Sequence, residues 1–129
     1  QEAYGAALDR AEQALALFRE MDATVSQTAD LTVAALALSA MGRVGEARTN
    51  AAAALAILER CGGEGPDYPH RDYWRAAQVL AAAGDQVGAA HALGRAQTLL
   101  AAAAERIADP AVRERFLRQV PWNRAIMPA

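Results

Sequence analysis

Apolar and small residues recur at steps of three and four along most of the chain, and polar breaks divide these stretches into helix-length segments. Leu31, Ala34, Ala35, Leu38 and Met41 form one stripe, Gly42 interrupts it, and Val44, Ala47, Ala51, Ala54, Leu55 and Leu58 form the next. Two amphipathic helices folded back on each other at Gly42 account for this pattern, because glycine takes a left-handed cap without steric penalty. Residues 73–100 are a weaker copy. Laying Gly42 on Gly84, an offset of 42 residues, puts Leu38 on Leu80, Ala47 on Ala89 and Ala54 on Ala96. Ahead of both, Ala7, Leu8, Ala11, Ala14, Leu15, Phe18 and Met21 mark one long helix, whose segment 14–18 fits 54–58 at an offset of 40. That helix reads as the second half of a repeat whose first half is missing.

The breaks carry their own signals. Residues 22–30 are a polar connection, and 61–69, CGGEGPDYP, hold three glycines and two prolines in nine residues. The latter is a loop rather than a phosphate cradle, since it lacks the Gly-Lys-Ser/Thr ending. Asp85 follows Gly84 as an N-cap, and Asp109-Pro110 opens a further helix with Val112, Phe116, Leu117 and Val120 on one face. Pro121 is expected to stop it, leaving Trp122, Ile126 and Met127 as a short apolar tail. The expectation is an all-α single domain, 1–129, of antiparallel helix-hairpin repeats. Residues 1–22 are the second half of a truncated repeat, 28–61 and 69–108 are repeats, and 109–127 form a C-terminal capping helix over the last apolar face.

Composition agrees with this class. The 129 residues are 53% hydrophobic but only 5% aromatic, so the core must come from close helix approach through alanine, the best helix former. The net charge is −2, and all 13 basic residues are arginine, which has the look of a G+C-rich bacterial bias. So even a balance lacks the electrostatic footprint of nucleic-acid binding. Cys61 is the sole cysteine, which excludes an internal disulfide and points to a reducing cytoplasm. No uncharged apolar run reaches membrane-spanning length, and Gln1-Glu2-Ala3-Tyr4 resembles no signal peptide. Starting in mid-pattern, the chain reads as a fragment of a longer protein.

No catalytic, metal or cofactor site is expected. His70 and His91 have no ligand partner at metal-site spacing and read as surface histidines. Cys61 has only Arg60 beside it, weak grounds for an activated thiolate. The five arginines and two acids from residue 106 onward read as a solvated end-cap.

The pattern Leu31, Ala34, Ala35, Leu38, Gly42, Val44, Ala47, Ala51 and Ala54, echoed by Tyr73, Ala76, Ala77, Leu80, Gly84, Ala89, Leu93 and Ala96, resembles the tetratricopeptide (TPR) repeats. The ending, through Asp109, Arg113, Phe116, Leu117, Val120, Pro121, Asn123, Arg124 and Ile126, resembles the close of TPR-like regions in large bacterial signalling and transcriptional regulators. This resemblance implies a TPR-like α-solenoid, a non-catalytic scaffold in a multidomain regulator, whose partner is a protein, a peptide or other domains of the parent chain. It also implies a concave face lined by the first helix of each pair. Thr32 and Ser39 in one repeat and Arg71, Trp74 and Gln78 in the next are its candidate binding residues, with Leu36 either there or packed on a neighbouring helix. Arg71, Trp74 and Gln78 share one helix face, and arginine with tryptophan is a hot-spot composition. Trp74 either lines that face or packs under the 61–69 loop with Tyr68; the alternative function is a small-molecule sensor with a pocket near these two. The stripe from Ala7 to Phe18, left without its partner helix, is expected to be partly uncovered and to invite homodimerisation.

Overall fold

A computed structural model describes residues 2–128. The described residues form seven helices and no strand: α1 (Glu2–Glu20), α2 (Gln27–Ala40), α3 (Val44–Cys61), α4 (Pro69–Ala82), α5 (Gln86–Glu105), α6 (Pro110–Gln119) and α7 (Pro121–Ile126). The all-α expectation holds.

Two hairpins, α2–α3 and α4–α5, are closed by the same turn. Gly42 and Gly84 adopt φ of 81° and 86°. The following N–H groups, of Arg43 and Asp85, donate to the carbonyls of Leu38 and Leu80 at 2.9 Å each. These bonds satisfy carbonyls that a helix end leaves without a partner. In the second hairpin the Asp85 carboxylate also accepts from the Gly88 N–H at 2.9 Å, capping α5.

Small side chains decide how these helices stack. Ala34, Ala35, Ala51, Ala54, Ala76 and Ala96 are buried, and alanine at a crossing lets backbones come close. α4 packs on both α2 and α3 as well as on α5, and α1 lies on α2. Leu58 and Tyr73, also buried, join the hairpins in a cluster with Ala77, Ala92, Ala96 and Leu100.

The N-terminal stripe is partly covered: Leu8, Ala11 and Leu15 are buried, while Ala7, Ala14 and Phe18 stay half-buried. Leu8 and Ala11 join Ala34, Ala35 and Leu38 of α2 in one core cluster, and Leu15 joins Leu31, Ala54 and Ile57 in another. α2 therefore covers one side of α1; Tyr4 and Leu17 are exposed large apolar residues on α1, and Met21 is exposed just past its end.

Past α5 the chain also departs from expectation. Asp109 caps α6 by accepting from the Ala111 N–H at 2.9 Å. Arg113 reaches back to donate to the Ile107 carbonyl at 2.7 Å, covering the end of α5. Pro121 then opens a helix instead of only ending one, since proline fits a first helical position. The capping piece is thus two helices. α7 packs against α4 and α5, with Asn123 and Ile126 buried and Asn123 Nδ2 donating to the Phe116 carbonyl at 3.0 Å.

Candidate functional site

α4 carries most of the candidate residues, and the structure divides them between two concavities. Toward α5, Trp74, Gln78 and Ala81 face Gln86, Ala90 and Leu93 across a groove of about 400 Å³, closed at one end by Ala125 of α7. Trp74 is half-buried and packs on the cluster centred on Leu58 and Tyr73, while Gln78 is exposed. The groove walls carry no charged side chain; they offer an apolar surface with two amides at its margin.

Toward α2, a second concavity of about 280 Å³ is bordered by Thr28, Asp30, Tyr68, Arg71 and Asp72, with Phe18 at its side. Asp72 is 1% exposed. Its Oδ2 accepts from Thr28 Oγ1 at 2.9 Å. Its Oδ1 has no hydrogen-bond donor and lies 3.6 Å from Arg71 Nη2 and 3.9 Å from Arg75 Nη1. Burial pushes the Asp72 carboxyl above its ordinary value, and the Thr28 hydrogen bond and the two guanidinium groups pull it back. Burial also raises Asp30, against the opposing charge of Arg75. For Arg75 itself, burial and then the like charge of Arg71 favour the neutral form.

Arg71 is held rather than free. Its guanidinium lies 4.7 Å from the centre of the Tyr68 ring and 5.6 Å from that of Trp122, two cation–π contacts that join the α3–α4 loop to α7. Tyr68 meets Trp122 edge-on at 6.1 Å, so it does not pair with Trp74, and the pocket expected between Tyr68 and Trp74 is two separate hollows. Nor does Trp74 pack beneath the loop; its groove lies on the α5 side.

Thr32 is buried, its hydroxyl donating to the Ala29 carbonyl at 3.0 Å. It stands one helical turn from Thr28, on the α2 face that α4 covers, and is therefore unavailable to a partner. Ser39 is half-buried and borders neither concavity, whereas Leu36 packs against the core. His70, expected at the surface, is buried with Nε2 unpartnered between the rings of Tyr68 and Phe116. Burial holds its imidazole below the ordinary value. His91 is exposed as expected, 3.8 Å from Glu59.

No protein family, curated protein or solved structure matches the chain. Among the described residues no helix is long and apolar enough to cross a membrane, and no three His, Cys, Asp or Glu side chains stand together as a metal would need.

Sequence reasoning missed Asp72, Thr28, Asp30 and Arg75. The spacing of Asp72 and Arg75 at i, i+3 was a visible signal of a pair. The contact between Thr28 and Asp72 spans 44 residues, beyond any local pattern.

Proposed function

We propose that the chain is a TPR-like helical scaffold that binds a protein or peptide partner, as the C-terminal part of a bacterial multidomain regulator. What carries the reading is the apolar groove between α4 and α5, in which a half-buried tryptophan stands beside an exposed glutamine. Aromatic anchors in such grooves supply much of the energy of protein recognition. The stacking of α4 on both helices of the preceding hairpin supports the TPR-like plan, and the sequence resemblance supports the regulator. The test is a peptide-display selection against the immobilised chain. Selected peptides should change Trp74 emission in a Trp122→Phe background and lose binding in Gln78→Arg. Selection that never enriches a sequence, or enriches peptides indifferent to Gln78→Arg, overturns the groove as the binding surface.

A second reading, a small-molecule-sensing domain, is favoured by one observation: a buried carboxylate oxygen without a donor beside the α2-side concavity. That moves the sensing pocket from Trp74 to Asp72 and Arg71. A metabolite that raises the melting temperature of the chain but not of Asp72→Asn would favour it over the scaffold.

A further inference from the structure

The two hairpins end differently, and the difference outlines a seat for one more helix. In the first, Ala35, Ala47 and Ala51 are sealed by α4, whose Ala76 and Val79 belong to the same cluster. Shifted by 42 residues, those positions become Ala77, Ala89 and Leu93, and these border the open groove with Gln78, Ala81 and Ala90. α7 packs on both helices of the second hairpin, as α4 does on the first. It has six residues where α4 has fourteen, which leaves about 12 Å of helix unsupplied at 1.5 Å per residue. Nor does α7 itself continue into the space. Met127 leaves helical geometry at φ −53° and ψ 140°, and Met127 and Pro128 turn aside toward Leu100 and Leu117.

We infer that the groove seats an amphipathic α-helix of a partner protein, about two turns long, laid end to end with α7. The inference rests on the scaffold reading and names the class of partner. The face it presents carries alanine- and valine-sized residues, because Ala76 and Val79 of α4 fill the equivalent surface in the first hairpin. That face is uncharged: Trp74, Gln78, Gln86 and the surrounding alanines offer no counter-charge, and a buried charge without one loses its hydration for nothing in return. The groove is also continuous with an interface the chain already makes, since Ala125 of α7 forms its end wall.

The test uses a peptide copying residues 75–83, held helical by a hydrocarbon staple across the positions of Gln78 and Ala82, which are exposed on α4. Titrated into the ¹⁵N-labelled chain, it should shift the Trp74 indole and the Gln86 and Ala90 signals saturably, leaving Val33 and Leu36 unmoved. Ala90→Arg, a change at an exposed groove residue, should weaken binding at least about tenfold without altering the melting curve. Ala81→Arg, on the facing wall, serves if that variant melts early. Binding undiminished in both variants, or no saturable shift, overturns the inference. Shifts confined to Val33, Leu36 and Arg75 also overturn it while leaving the scaffold reading in place, and the peptide-display selection tests that reading separately.

Discussion

Ala47 and Ala89 hold the same place in the two hairpins, yet Ala47 is 1% exposed under α4 while Ala89, 8% exposed, borders a groove that α7 stops short of filling. The residue type is the same; the environment depends on whether another helix follows. Sequence repetition thus specifies which residues face the next element, and the length of that element specifies how completely they are covered. The neighbouring position shows a graded response. Ala51 is fully covered by close backbone approach, and its counterpart is Leu93, a larger residue that is only half-buried.

The largest effect tests whether the hairpins are alike where both are covered. Leu38→Ala and Leu80→Ala should each lose about 2–5 kcal/mol in urea unfolding, the cost of a cavity between helices. A loss under about 0.5 kcal/mol at either, the size of an ordinary surface change, would break the correspondence of the repeats. Next is the pair that separates them. Ala47→Leu should cost about 1–3 kcal/mol by overpacking against α4, whereas Ala89→Leu has open groove before it and should stay within about 0.5 kcal/mol. Equal costs would mean that the second groove is closed in solution. A smaller effect concerns the cover of the second hairpin: Asp109→Ala removes the cap of α6 and should cost about 0.5–2 kcal/mol.

The smallest expected effect is a slope. His70 lies beside the C-terminal helices, against Phe116, and burial depresses its folded-state value below the 6.5 of a free imidazole. Below 6.5 the unfolded chain takes up a proton that the folded chain resists, so stability is present above that pH and is lost as pH falls through the depressed value. Thermal melts from pH 7.5 downward should show the decline in the parent chain and a flatter profile in His70→Gln. Identical slopes would mean that the imidazole is open to water and the C-terminal cover loose.

Much of this was legible in advance. The periodic alanines and leucines located the helices of both hairpins, and Gly42 and Gly84 located their turns, because periodicity and cap chemistry are local. The C-terminal piece was half legible. Asp109-Pro110 gave the start of α6, but Pro121 reads equally as a stop or as a first helical position, and only packing on α4 and α5 decides between them. The candidate site was the least legible. Spacing placed Arg71, Trp74 and Gln78 on one helix face, yet a helix flanked on two sides can send neighbouring side chains into different hollows. Thr32 and His70 are polar residues whose burial depends on a distant helix arriving over them, and nothing within a few positions of either announces it.

The loop at 62–68 has the composition of a flexible linker, and someone wishing to insert a reporter or a cleavage site would choose it first. Gly63 and Gly65 stand at φ of 77° and 105°, and a Cβ on them would come within 3.1 Å of Leu99 and 2.8 Å of Val25. Those glycines make the segment a fitted spacer wedged between the 22–26 connection and α5. The exposed turn around Met21 and Asp22, at the start of the polar 22–30 connection, is the better choice, since exposed turns are where insertions are tolerated.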